Sequence, residues 1–327
     1  MPTFRQAVSS GNPTMNRPNS RVTTTLLARR ARALRRHLRE AVAGSGQGVH
    51  RARVASRRLR EAVPVLSTGL ADAKTGKVRR KIRRVTRALG ATRELDVTVA
   101  LLDELTARDT MPRLALEDVR AYVLEEQERR RGVMLKRLSR LDVDKLERRL
   151  GSLGETLNEA RSDRWRSALG SRLLKRSKFL RGAVEDAGQL YEAERLHKVR
   201  IAAKKLRYAA ELAAETGVKA AASPVRAIKR AQDTLGRLHD LQVLQIHVAA
   251  AQAAPKRHSS DAALDTLSRC IEEECRHLHA KYVAGLPALQ QALVDIQRVV
   301  VPQLVRRPIR RALKMKLAAP AASAADR

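Results

Sequence analysis

Residues 49–60, VHRARVASRRLR, hold a histidine and five arginines with no acid among them, and residues 196–207, LHKVRIAAKKLR, repeat the arrangement. At a constant offset of 147, His50 pairs with His197, Arg53 with Arg200, Arg57 with Lys204 and Arg60 with Arg207. On a helix of about 100° per residue, with His50 as zero, Arg57 falls at about −20°, Arg53 at about −60° and Arg60 at about −80°. Ala52, Ala55, Leu59 and Val63 gather on the far side. Cations at these spacings stack a turn apart over roughly 15 Å, which suits a linear run of phosphates. A guanidinium offers a planar fork of donors to phosphate oxygens, whereas an ammonium acts as a point charge. A histidine inside such a row can donate from both nitrogens once protonated, so an adjacent polyanion favours that form and binding should strengthen as pH falls below about 7.

Charge is concentrated as well as large. The chain has 67 Lys plus Arg against 34 Asp plus Glu, a net charge of +33. Residues 26–90 contain 19 basic side chains and three acids, a difference of +16. A compact body with this imbalance repels itself unless an anionic partner shares its surface. Surface helices ordinarily intersperse Glu with Lys or Arg a turn away, and these segments do not. On residues 77–90, Val78, Ile82, Val85 and Leu89 form one stripe, with Lys77, Arg80, Arg84 and Arg87 on the opposite face, a second cationic bar.

Other chemistries find little support. Glu94, Asp96 and Asp240 follow Leu-Gly steps and read as struts that orient neighbouring arginines. Phosphoanhydride hydrolysis normally uses metal ions held by several inward carboxylates, and no such cluster stands out; Glu192 and Glu194 read as acids in the first turn of a helix. Cys270 and Cys275 are too few for a disulfide framework, and with His279 they do not share one helix face as zinc ligands would. There is no Gly-rich phosphate loop and no nucleophile–histidine set, so no enzymatic activity, metal or cofactor is expected. Aromatic residues make up 2% of the chain; Trp165, Phe179, Tyr191 and Tyr208 are expected to pack between helices. Single-strand nucleic-acid binders stack bases on rings, so a nucleic-acid role is the second reading.

These rows need helices to carry them. Almost every segment after Thr23 follows a helical period and none alternates as a strand, so the expected fold is all-α. Helices are expected at about 24–43, 49–67, 74–90, 93–108, 113–139, 143–160, 164–187, 191–216, 223–236, 239–252, 260–283 and 287–317, the last interrupted by Pro302 and Pro308. Residues 78–97 align with 225–243, the second copy one residue shorter, with an offset of 146 at the Leu89-Gly90 and Leu235-Gly236 pairs. The duplication predicts one domain over 21–317, built from half-repeats at about 21–160 and 164–317 packed face to face, with flexible segments at 1–20 and 318–327. No run of 18 apolar residues would span a membrane, and the first 25 residues lack a secretory core, so a cytoplasmic location is expected.

The pattern His50-x-x-Arg53-x-x-x-Arg57-Arg58-Leu59-Arg60, its echo His197-x-x-Arg200-x-x-x-Lys204-Lys205-Leu206-Arg207-Tyr208, and the segments LGATRELDV and LGRLHDLQV resemble the CHAD family, the conserved histidine α-helical domain. The resemblance covers about 21–317. It implies two pseudo-symmetric helical-bundle halves whose basic faces meet at a central pore or groove that binds inorganic polyphosphate, often at cytoplasmic polyphosphate granules. Carried over by position, the implied phosphate contacts are His50, Arg53, Arg57, Arg58, Arg60, Arg80, Arg84 and Arg87, with His197, Arg200, Lys204, Lys205, Arg207, Lys229 and Arg230. Asp233 stands where a cation is expected opposite Arg87, which implies a weaker grip in the second half. Some relatives carry a fused β-barrel with a metal-binding Glu-x-Glu-x-Lys motif; that motif is missing here, so the resemblance implies binding without catalysis.

Overall fold

Leucine, valine and alanine at helical spacing set the architecture. The computed structural model describes residues 18–108, 110–160, 163–254 and 258–305. The expected tail at 318–327, most of the expected leader at 1–20, and the interruption at Pro308 lie outside them. Among the described residues there is no strand, and the protein is all-α. In chain order the helices are α1 (Pro18–Val42), α2 (Gly46–Leu66), α3 (Asp72–Ala88), α4 (Gly90–Arg108), α5 (Arg113–Ser139), α6 (Val143–Ala160), α7 (Arg164–Ala187), α8 (Ala193–Glu215), α9 (Ala222–Gln252), α10 (Asp261–Ala284), α11 (Leu286–Asp295) and α12 (Val301–Val305).

The expected stripes are the buried ones. Ala52, Ala55, Leu59 and Val63 of α2 and Val78, Ile82, Val85 and Leu89 of α3 are all in the core, and Lys77, Arg80, Arg84 and Arg87 are exposed. Burying one Leu or Val of this kind contributes about 1.5–3 kcal/mol.

Two expectations about breaks change. The helices expected at 223–236 and 239–252 are one helix, α9. Leu235, Leu238, Leu241 and Leu244 are buried in unbroken helical period across Gly236, and a lone helical glycine costs only about 1 kcal/mol. At the matching Leu89-Gly90 step the chain does break, with Leu89 as the C-cap of α3. Near the end, a π-helical turn at Ile296–Val300 separates α11 from α12, beside Pro302, which has no N–H for the helical ladder.

The expectation for the rings holds in part. Trp165 and Tyr208 are buried, but Phe179 is 65% exposed and Tyr191 lies at the surface, with its ring edge-on to His279 at 5.4 Å. Phe179 is a correction: it points away from the side of α7 that carries buried Leu173, Leu180 and Val184.

The chain forms two compact units, the first from Met1–Trp165 with Leu238–Cys275 and the second from Arg166–Arg237 with Arg276–Arg327, so α9 and α10 contribute residues to both. In the first unit α1 packs on α2 and α6, α2 on α3, and α4 on α5. In the second, α7 packs against α12, where Val305 and Val301 stand over Gly170.

Candidate functional site

In the first unit, α2 is held by its own cap, by α1 on one flank and by α3 and the α3–α4 junction on the other. Ser45 caps the helix and accepts a hydrogen bond from the Gly48 backbone N at 3.0 Å. Gly48 lies so close to α1 that a Cβ there would come within 2.6 Å of the Ala41 nitrogen and the Glu40 carbonyl carbon. Arg30 of α1, 5% exposed, donates from Nη1 to the Arg58 carbonyl at 2.7 Å. On the far flank, Arg53 Nη1 donates to the Gly90 carbonyl at 2.7 Å, and Thr86 of α3 donates to Ser56 Oγ at 3.1 Å. Arg53 therefore ties the row to the α3–α4 junction.

This packing brings the predicted first-copy residues onto neighbouring helices. His50 and Arg60 are exposed, Arg57 and Arg58 half-buried, and Arg80, Arg84 and Arg87 exposed. Among the described residues, Arg57, Arg60, Arg80, Arg84 and Arg87 have no hydrogen-bonding or acidic partner. Three arginines elsewhere in the unit do: Arg108 pairs with Glu104 at 2.5 Å, Arg113 with Glu117 at 3.0 Å and Arg120 with Asp103 at 2.7 Å. The difference follows from sequence, because neither 49–60 nor 77–90 supplies an acid.

The field of these cations acts on the histidine. Desolvation, and then Arg93, Arg53, Arg57 and Arg51, push the His50 imidazole below its ordinary range. Arg93 was not among the predicted contacts. It is half-buried, and burial lowers its pKa against the pull of Asp96 and Asp240. Asp96 accepts a hydrogen bond from Gln127 Nε2 at 2.9 Å and is pushed up by burial. Asp96 and Asp240 therefore act on Arg93 beside His50 through charge, while the hydrogen bond of Asp96 goes to Gln127. The available signal for Arg93 was its place in TRELDV, directly before Glu94.

In the second unit the row on α8 is built alike and used differently. His197 and Lys205 are exposed, Arg200 and Lys204 half-buried. Desolvation, then Arg200 and Lys204, also lower the His197 pKa. Arg176 of α7 donates from Nη1 to the Lys205 carbonyl, the counterpart of Arg30 on Arg58. The alignment thus extends back through the preceding helices, Arg30 with Arg176 and Leu34 with Leu180, a signal the motif alone did not reveal. Arg207, however, is occupied. Its Nη1 pairs with Glu211 Oε1 at 2.5 Å, its Nε donates to Gln232 Oε1 at 2.7 Å, and its guanidinium carbon sits 4.9 Å from the centre of the Tyr208 ring. Lys229 pairs with Asp233 at 2.8 Å, while Arg230 is exposed. At the equivalent of Glu211 the first copy has Pro64, which leaves Arg60 open.

Among the described residues, no helix is long and apolar enough to cross a membrane, and no group of three or more His, Cys, Asp or Glu side chains could hold a metal ion. Cys270 and Cys275 are not joined in a disulfide.

Comparison with known proteins places this architecture. The CHAD domain model matches residues 21–249. The fold is similar to the crystal structure of the CHAD domain from the plant Ricinus communis, with TM-score 0.59 and 22% identity over 84% of this chain and 91% of that one. It is also similar to PptA from Streptomyces chartreusis, with TM-score 0.51 and 18% identity over 84% of this chain and 99% of that one. No curated protein matches the chain. The histidine-containing cationic helices, the all-α fold and a model match over most of the sequence agree: the chain belongs to the CHAD domain family.

Proposed function

We propose that the protein binds inorganic polyphosphate through its basic helix faces, without catalysing a reaction on it, and that this binding draws it to polyphosphate granules in the cytoplasm. The observation that carries the reading is the set of partnerless cations on α2 and α3, Arg57, Arg60, Arg80, Arg84 and Arg87, beside His50. Keeping like charges together without internal partners costs helix stability, and a polyanion removes that cost. CHAD domains are generally associated with polyphosphate binding, and a flexible chain of phosphates needs only forks and point charges in line. On α8, His197, Arg200, Lys204 and Lys205 form the second row, with Arg230 nearby in sequence on α9. Arg207 and Lys229 contribute less, being held by Glu211 and Asp233.

Nucleic acid is the second reading, since phosphate contacts serve either polymer. No Phe, Tyr or Trp lies on α2 or α3, and Tyr208 on α8 is buried, so the large rings on which single strands stack are missing from the rows themselves. The test is a competition at about 150 mM salt, near physiological ionic strength, between long-chain polyphosphate, heparin and DNA. Selective retention of polyphosphate, lost in an Arg57→Glu/Arg84→Glu variant, is expected. Equal binding of all three polymers, or release of orthophosphate during incubation with magnesium, overturns the proposal.

A further inference from the structure

α1 carries another row of cations, one that the polyphosphate reading does not use. Arg32, Arg36 and Arg39 are exposed and recur a turn apart. The other arginines near them have structural work. Arg30 is buried and donates to the Arg58 carbonyl, and Arg35 pairs with Glu147 at 2.8 Å and Asp144 at 3.6 Å. Arg32, Arg36 and Arg39 have no hydrogen bond or ion pair among the described residues. The acid nearest Arg36 in sequence, Glu40, is held by His37 Nδ1 at 2.9 Å.

The repeat shows that packing does not require this ridge. The core side of α1, with Leu27, Leu34, Leu38 and Ala41, recurs on α7 as Leu173, Leu180, Val184 and Ala187, all buried. The carbonyl strut recurs as well, from Arg176 to Lys205. Only the first cation of the ridge recurs: Arg32, Arg36 and Arg39 correspond to Lys178, Gly182 and Glu185. The same helix is therefore built in the second unit without the full ridge.

The ridge also points away from the α2 row. At about 100° per residue, Arg30 lies about 150° around α1 from the ridge centre, and Arg58 lies about 120° around α2 from the His50–Arg60 row. The two helices meet at the Arg30–Arg58 bond and at Gly48 against Ala41, positions that lie away from both basic rows, so the rows turn outward in different directions. A chain lying along one row does not lie along the other.

We propose that the α1 ridge is a second polyphosphate-binding face, independent of α2 and α3, which makes the protein bivalent and lets it crosslink polyphosphate chains. This rests on the polyphosphate reading above. The ridge carries no aromatic ring on which a base could stack, so a bare chain of phosphates suits it better than single-stranded nucleic acid.

The experiment titrates the full chain with sodium polyphosphate too short to span two faces, by calorimetry, and separately follows light scattering with long-chain polyphosphate. It compares the wild type with Arg32→Gln/Arg36→Gln/Arg39→Gln and with Arg57→Gln/Arg80→Gln/Arg84→Gln; all six side chains lie outside the core. Each variant is expected to bind one equivalent fewer of the short chain. The α1 variant is expected to keep its long-chain affinity within a few-fold while losing the scattering increase. Unchanged stoichiometry and scattering in the α1 variant overturn the bivalent reading and leave the polyphosphate reading standing. No polyphosphate binding by the wild type defeats both. A duplex-DNA arm closes the remaining case: loss of DNA binding alone in the α1 variant makes the ridge a nucleic-acid face and overturns the proposal.

Discussion

Replacing Arg80, Arg84 and Arg87 with Gln removes three exposed charges that have no partner in the free protein. If each meets one phosphate of a flexible chain, the slope of log K against log salt flattens by about 0.7 per lost contact, or about 2 in all. At roughly 1 kcal/mol per exposed contact the affinity falls by on the order of 100-fold. Stability moves the other way. Arg80–Arg84 and Arg84–Arg87 are like-charge neighbours one turn apart, and relieving each returns about 0.2–0.5 kcal/mol. The control is Arg108→Gln/Arg113→Gln/Arg120→Gln, which lowers the net charge equally but removes cations already paired with Glu104, Glu117 and Asp103. Fluorescence anisotropy with labelled polyphosphate across a salt series, beside thermal melts, measures both effects. An equal loss of slope and affinity in the control would refute the reasoning, because attraction would then follow total charge and not the α3 row.

Arg60 and Arg207 occupy the same repeat position but should respond oppositely. Arg207→Gln should destabilise the protein by about 1.5–3 kcal/mol through the charged hydrogen bonds it loses to Glu211 and Gln232, whereas Arg60→Gln should lower polyphosphate affinity with little change in melting temperature. Gly48→Ala should destabilise by about 1–3 kcal/mol through overpacking against Ala41 and Glu40, while Gly46→Ala, with nothing within 4 Å of its Cβ, should be neutral or stabilising in the same denaturant titration. For the histidines, burial and then the cationic neighbours hold the free-state pKa values below the ordinary imidazole range, and a bound polyanion offsets the second of these. Binding therefore takes up protons, and affinity rises as pH falls through the bound-state pKa and levels off below the free-state one. Measured at about pH 6 and about pH 8, the wild type should gain affinity several-fold on acidification, and a His50→Gln/His197→Gln variant should lose most of that gain; identical ratios would remove the histidines from the mechanism.

The α3 helix was legible residue by residue, because an amphipathic helix needs only its period to declare which side is wet. Val78 and Ile82 are buried and Arg80 and Arg84 exposed, as the spacing implied. Gly90 and Gly236 were read alike, yet the chain breaks at the first and runs on through the second. Leu89, Leu95, Leu235 and Leu241 are all buried, so the apolar period alone does not tell a break from a continuous helix. Phe179 misled for a related reason: ring chemistry favours burial, but its place on α7 is off the packed stripe.

The sequence alone determined that two acid-free cationic helical segments, 49–60 and 196–207, exist and that their apolar sides are core, since both follow from residue type and a period of 3.6. Only the tertiary structure decided which cations remain open. Glu211 lies one turn from Arg207 on α8, but Gln232 reaches it from α9, 25 residues on. Gly90, 37 residues away in sequence, takes one donor of Arg53, and Arg93 comes to stand beside His50 across a helix boundary. A charge is available to a ligand only when no folded neighbour has claimed it, and that depends on packing between helices, which spacing along one helix does not encode.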